Sequence, residues 1–376
     1  MGSTIHAKYG LKRVINASGR MSILGVSAPT DTVMEAMKQG GQKYTEMSEL
    51  IKKSGAYTAK LIGAEAALIV NSASSGIALS IAAFVTKGNQ RKSEKLHQEK
   101  NEQNEVILFK GHNVHYGAPI ETMIALGGGK LIEVGYANEG KKEHIVEAVT
   151  ENTAAIMYVQ SHHAVQKNML SVLEVAEITK KLQLPFIVDA AAEEDLHKYV
   201  RCADIAIFSG SKAIEGPTSG IVAGKKEFIK WVQIQMSGIG RSMKVGKESI
   251  FGLLQALSEY KNKTDSSNEE KESLQPLLAL SKLTGVSVSI VQDEAGRAIY
   301  RARVKVNSEE SDLTAVEVVD QLKNGEVAIY TRDYGAKQGF FDLDPRSFQE
   351  NDVAVLVERL SEILGGNKCE NKETIL

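Results

Sequence analysis

Between residues 56 and 260, short apolar runs rich in Val and Ile alternate with longer segments of helical periodicity. That alternation is the signature of a parallel sheet covered by helices on both faces. Residues 66–70, 106–109, 131–134, 155–159, 186–188, 205–208 and 220–223 are too short for helices. Most are bounded by Gly, Pro, Asp or Ser, so each predicts a strand. The stretch 66–86 carries no charge and is long enough to cross a bilayer. Asn71, Ser72, Ser74, Ser75 and Gly76 would then lie at mid-bilayer, whereas a strand over 66–70, a polar turn and a helix over 77–85 explain the same residues without a membrane.

After about residue 275 the texture changes. Tyr300, Ala302, Val304 and Val306 alternate with Arg301, Arg303 and Lys305 in one strand, helices are expected over 313–323 and 353–364, and a second strand over 326–330. The reading is an α/β chain: residues 1–55 as an N-terminal segment serving the small domain and a dimer interface, 56–260 as a large, mostly parallel-sheet domain, and 261–376 as a smaller α+β domain. The mixed-sign polar runs 91–105 and 261–271 read as solvated loops, the second of them at the domain boundary.

Charge and cysteine content narrow the partners. With 45 Lys plus Arg against 47 Asp plus Glu, the net charge of −2 gives no field that would draw in a polyanion, so nucleic acid is not expected. Cys202 and Cys369 alone cannot form a disulfide framework or a four-cysteine zinc site, and they suit a reducing, cytoplasmic setting. The first ten residues lack the apolar core of a signal peptide, since Ile5 is flanked by His6 and Lys8.

Candidate chemistry lies where two of the expected strands end. The run 186–188 ends in Asp189, and Lys212 follows the run 205–208 among small residues. On such sheets ligands bind beyond the carboxyl ends of the strands. A strand, a carboxylate, about two dozen residues and a lysine make up a pyridoxal phosphate site: Lys212 as the Schiff-base amine, and Asp189 as partner of the protonated pyridine nitrogen. The turn 70–76, with Ser72, Ala73 and Ser74, offers backbone N–H groups at a helix start for the phosphate, and Ser209 a further hydroxyl. A plain helix cap explains the serine turn equally well. His112 and His115 follow the strand 106–109, where a flat ring would stack on the cofactor. A zinc site from His112, His115, His162 and His163 has no local carboxylate or thiol to support it, so no metal is expected. The triple glycine 127–129 lacks the spacing of a nucleotide loop and reads as a turn.

At residues 14–20 (VINASGR), 111–121, 187–195 (IVDAAAEED), 208–226 (FSGSKAIEGPTSGIVAGKK), 241–247 and 329–334 the sequence resembles the fold-type I pyridoxal phosphate enzymes related to bacterial selenocysteine synthase. Within them it is most similar to the D-glucosaminate-6-phosphate ammonia-lyase branch. The resemblance implies a Lys212 linkage to the cofactor, Asp189 at the pyridine nitrogen, Ser74 and Ser209 near the phosphate, and His112 or His115 over the ring. It further implies α,β-elimination from a phosphorylated 2-amino sugar acid, giving 2-keto-3-deoxy-6-phosphogluconate and ammonia. Such a substrate needs cations: Arg332 for the carboxylate, and Arg20, Arg241 and Lys244 as candidates for the distal phosphate. Glu193 and Glu194 are placed either to protonate the leaving hydroxyl or to cap the next helix.

The chain departs from the wider pattern at Ala192, where many such enzymes carry a polar residue for the cofactor's phenolic oxygen. Selenocysteine synthase activity is disfavoured, because nothing before Val14 supplies a tRNA-binding domain. A homodimer or higher homo-oligomer is implied, with Tyr44 or Tyr57 reaching across. The alternatives are a pyridoxal phosphate lyase, racemase or aldolase acting on another amino acid, and a non-catalytic cofactor-binding sensor. The sensor is weakened by the lack of any DNA-binding module.

Overall fold

A computed structural model of the chain describes residues 5–99, 101–161, 163–263, 266–293 and 298–365. The chain divides into two compact units, one of Ser27–Lys263 and one combining Met1–Val26 with Thr264–Leu376. Residues 27–55 therefore pack with the larger unit, and the division after Lys263 falls inside the polar run 261–271.

In the larger unit each of the seven apolar runs forms a strand: β2 (Ala66–Val70), β3 (Glu105–Phe109), β4 (Lys130–Val134), β5 (Thr153–Val159), β6 (Phe186–Asp189), β7 (Ile205–Ser209) and β8 (Gly220–Gly224). They build one sheet in the order β2-β8-β7-β6-β5-β3-β4, in which β8 runs antiparallel to both its neighbours and the other pairings are parallel. Both faces are buried. Ile107, Ile156, Tyr158 and Val188 pack on one side, and Val106, Leu108, Ala155, Met157 and Ile187 on the other. This is why the strands read as apolar runs with no polar alternation, except β4 at the sheet edge, where Lys130 and Glu133 are exposed.

The uncharged stretch 66–86 resolves into β2 and the helix Ala73–Thr86, which is buried along nearly its whole length. Its hydroxyls turn back on its own backbone, Ser80 Oγ donating to the Gly76 carbonyl and Thr86 Oγ1 to the Ala82 carbonyl, each at 2.7 Å. No helix among the described residues is long and apolar enough to span a membrane. The run 91–105, expected as a solvated loop, instead begins inside the helix Gln90–Glu94, with Ser93 and Leu96 buried. One hydroxyl and one leucine in a run of charges are enough to dock it. The triple glycine is a turn, with Gly128 at φ 75°.

The smaller unit holds β1 (Val14–Ala17), β9 (Val286–Gln292), β10 (Tyr300–Val306), β11 (Ala328–Thr331) and β12 (Phe340–Leu343). β10 lies between β12 and β9, antiparallel to both, and β1 pairs in parallel with β11. The expected strand 326–330 begins later, at Ala328, and the expected helices are Ala315–Asn324 and Asp352–Gly365. One side of β10 departs from simple alternation. Arg301 is buried, because its Nε donates to Asp344 at 3.0 Å and its Nη1 to Asp293 at 2.9 Å.

Candidate active site

Parallel pairing of β6 with β7 sets Asp189 opposite Ile207, and Lys212 lies three residues past Ser209, the last residue of β7. The lysine stands in a loop tied at its base by Gly210 N–H to the Ser219 carbonyl (2.9 Å) and Gly216 N–H to the Gly210 carbonyl (2.8 Å). Glu215 ends the turn in the left-handed region at φ 58°, a strain of about 1 kcal/mol. Lys212 is half-buried and makes no ion pair with a carboxylate among the described residues. Asp189 is buried, and its Oδ1 accepts the Ala191 N–H at 3.1 Å. Burial pushes its carboxyl up to about 6, the charge of Lys212 and the Ala191 N–H oppose that rise, and nearby Glu193 adds to it. A dry carboxylate with so little compensation gains from a cationic ring nitrogen.

The helix Ala73–Thr86 starts directly after β2. Ser72 is its N-cap, accepting the Ser75 N–H at 3.1 Å and sharing a hydroxyl contact with Ser75 at 3.0 Å. The first-turn N–H groups of Ala73 and Ser74 have no acceptor within the helix, which makes this turn a natural anion cradle. Strand β8 holds the turn from below. A Cβ on Gly220 would lie 2.4 Å from the Ser72 carbonyl and 2.7 Å from the Ala73 nitrogen, so only glycine permits this approach. Tyr116 adds a buried hydroxyl that has no hydrogen-bond partner; Ser74 is its polar neighbour without closing a bond. An anion-ready helix start, an orphan donor beside it and an undercompensated carboxylate match the phosphate and ring nitrogen of pyridoxal phosphate. Ser209 is buried and pairs with Ser211, Oγ to Oγ, at 3.2 Å.

The histidines come out differently from the sequence expectation. His112 has no exposed surface, so in this arrangement it cannot stack on a ligand. Its Nε2 lies 3.1 Å from the Val165 carbonyl, its Nδ1 accepts the Val159 N–H at 3.5 Å, and its ring packs edge-on against Tyr158 and Phe109. Burial pushes it down to about 4, with the Val165 carbonyl pulling the other way, so it stays neutral. His115 is exposed, and its Nδ1 accepts the Gly117 N–H at 3.4 Å. Of the other histidines weighed for zinc, His163 is exposed and His162 lies outside the described residues. The aromatic side chain that faces Asp189 and Ser74 is Tyr116, which sequence reasoning passed over. The available signal was its place in the segment HNVHYG, where two histidines drew the attention instead.

Glu193 is half-buried and accepts the Tyr199 hydroxyl at 2.7 Å, while Asp195, neither Glu193 nor Glu194, caps the helix Leu196–Cys202. Arg241 and Lys244 are exposed in and just after the short helix Ile239–Met243. In the smaller unit Arg332 directly follows β11, and Arg20 lies three residues past the end of β1. Arg332 Nη1 donates to the Ser18 carbonyl at 3.3 Å and its guanidinium lies 5.5 Å from the Tyr334 ring centre. Close by, Arg346 grips Asp344 through Nε at 2.9 Å and Nη2 at 2.7 Å, and Arg301 binds the same carboxylate. Burial, then the charges of Arg301 and Arg346 against that of Asp344, lower the pKa of Arg332. With no carboxylate of its own among the described residues, Arg332 is suited to an anionic ligand.

Residues 14–327 match the sequence profile of the L-seryl-tRNA selenium transferase family. A D-glucosaminate-6-phosphate ammonia lyase from Salmonella typhimurium is 44% identical over 96% of this chain and 98% of its own length. A 5'-C-glycyluridine monooxygenase-decarboxylase from a Streptomyces species is 36% identical over 94% of this chain and 90% of its own. A solved structure of a D-glucosaminate-6-phosphate ammonia-lyase superposes with a TM-score of 0.91 at 44% identity, covering 96% of this chain and 98% of that one. With a profile match over most of its length and a near-complete structural counterpart, the chain belongs to the L-seryl-tRNA selenium transferase family of fold-type I pyridoxal phosphate enzymes.

Proposed function

We infer that this protein is a pyridoxal phosphate-dependent ammonia-lyase that converts D-glucosaminate 6-phosphate, or a close phosphorylated 2-amino sugar acid, to 2-keto-3-deoxy-6-phosphogluconate and ammonia. The observation that carries it is the buried Asp189 within the field of Lys212, at the ends of adjacent strands, in a chain so similar to that lyase. Bound at this site, the cofactor supplies an aldehyde for the substrate amine and a cationic ring that withdraws electrons from the α-carbon. Asp189 keeps the ring nitrogen protonated, and the turn Ser72–Ser74 with Ser209 holds the phosphate. With the cofactor bound, the Lys212 amine would accept the substrate's α-proton. As an ammonium it then protonates the departing 3-hydroxyl, so that water leaves. A water molecule returned at C2 releases ammonia, and the net change is loss of ammonia alone.

Glu193, already bonded to Tyr199, serves better as a fixed negative charge near Asp189 than as the acid. Arg332 is the proposed carboxylate ligand, and Arg20, Arg241 and Lys244 remain the candidates for the substrate phosphate. A homo-oligomer is proposed, with the exposed Tyr44 and Tyr57 as its contacts. The test is incubation of purified protein with D-glucosaminate 6-phosphate, with ammonia and 2-keto acid expected in equal amounts. Oxygen uptake with carbon dioxide release, the chemistry named for the Streptomyces relative, would overturn the elimination, as would turnover confined to simple amino acids.

A further inference from the structure

Among the described residues the buried side-chain atoms without a hydrogen-bond partner are Thr58 Oγ1, Gln235 Oε1, Thr331 Oγ1 and Tyr116 Oη. Gln235 is anchored by its amide nitrogen on Thr86 at 2.9 Å. Tyr116 differs from the other three because its polar surroundings are Ser74 and Asp189, the residues read as holding the two ends of the cofactor. Its backbone is held in a tight turn, with its N–H on the Ala118 carbonyl at 3.2 Å, the Ile120 N–H on the Val114 carbonyl at 3.0 Å and Gly117 at φ 111°. Its ring packs on the apolar cluster that includes Ile77 and Ile120. The side chain is thus fixed by packing while its hydroxyl stays dry and unpaired, an unfavourable state unless a ligand completes it.

The groups around that hydroxyl define the missing partner. The Ala73 and Ser74 N–H groups and the Tyr116 hydroxyl are all donors at the start of a helix, so the place calls for an acceptor-rich anion. We propose that Tyr116 is a cofactor-binding residue whose hydroxyl donates a hydrogen bond to the phosphate of pyridoxal phosphate, and that it separates the phosphorylated cofactor from free pyridoxal. Burial raises the pKa of the phenol, Ser74 pulls the other way and the charge of Asp189 adds to the rise, so the phenol stays protonated and therefore a donor. The inference rests on the cofactor reading above and goes beyond it by assigning a residue and a selectivity.

The experiment uses Tyr116→Phe, which removes one oxygen and keeps the ring. Cofactor-free wild type and variant are titrated with pyridoxal phosphate and, in parallel, with pyridoxal, following absorbance and Trp231 fluorescence, and their thermal midpoints are measured without cofactor. A hydrogen bond to a charged group makes the Kd for pyridoxal phosphate about tenfold weaker or more in the variant. The Kd for pyridoxal is expected to stay the same, and the cofactor-free midpoint to stay level or rise, since a buried unpaired hydroxyl has been removed. An unchanged Kd for pyridoxal phosphate overturns the contact, and equal weakening for both ligands overturns its assignment to the phosphate. Wild type that binds neither ligand overturns the cofactor reading itself, a distinct result.

Discussion

Gly220 presses on the backbone of the helix start from the neighbouring strand, and adding a single methyl there tests whether that turn is the anion cradle. In Gly220→Ala the new Cβ would sit 2.4 Å from the Ser72 carbonyl carbon and oxygen and 2.7 Å from the Ala73 nitrogen, where ordinary contact begins near 3.4 Å. The obstructing atoms are backbone, so no side chain can rotate away, and β8 and the turn must separate by about 1 Å, at an overpacking cost of about 1–3 kcal/mol. A shift of that size takes the Ala73 and Ser74 N–H groups out of line. Losing one hydrogen bond to a charged acceptor removes about 1.5–3 kcal/mol of binding, or about 10- to 100-fold in the Kd for pyridoxal phosphate. Gly76→Ala is the control. Its Cβ would meet methyl groups of Ile207 and Val222 at 2.9 and 3.0 Å, inside the helix packing and away from the turn's backbone. Absorbance titration of the two cofactor-free variants should show weakened binding in the first and near wild-type binding in the second. Wild-type affinity in Gly220→Ala, with the protein folded, would refute the cradle.

Lys212→Ala is expected to abolish the yellow colour and lower ammonia release by at least about 100-fold, read by absorbance and a coupled ammonia assay. His115→Ala should leave colour and Kd unchanged, because that ring is exposed and bonds only its own turn. The Asp189 carboxyl, raised to about 6 in the fold by burial, holds its proton more tightly than in the unfolded chain. Its contribution to the stability of cofactor-free protein is therefore best below pH about 4 and falls by about 3 kcal/mol as the pH rises to about 6. Urea unfolding of wild type against Asp189→Asn across that range checks it, and a flat difference contradicts it. Burial works to raise the pKa of Asp344, but Arg346 and Arg301 prevail and hold it down at about 2. Asp344→Asn should cost about 3–5 kcal/mol near neutral pH, and the advantage of wild type should fade as the pH falls from about 4 towards 2.

Much of this protein was legible in one dimension. Most of the runs that became β2 to β8 were readable because a strand buried on both faces must be apolar at every position, a property those runs carry locally, whereas β4 at the sheet edge carries the exposed Glu133. Lys212 stood out because an amine among small residues after such a strand is unusual, and Asp189 because it ends a neighbouring run. Sheet order was a matter for the tertiary structure. It made β6 and β7 neighbours and so brought Asp189 within the field of Lys212, and it placed Gly220 under a turn about 150 residues earlier. Pairings between distant short segments, such as Val14–Ala17 with Ala328–Thr331, leave no local pattern. Burial of Arg301 depends on two aspartates, one just after β9 and one just beyond β12, and alternation along β10 carries no trace of them. The same holds for the exchange of roles among His112, His115 and Tyr116. The sequence set three ring-bearing residues in one short turn, and only packing determined which ring is sealed in the core, which faces solvent and which points its hydroxyl at the helix start.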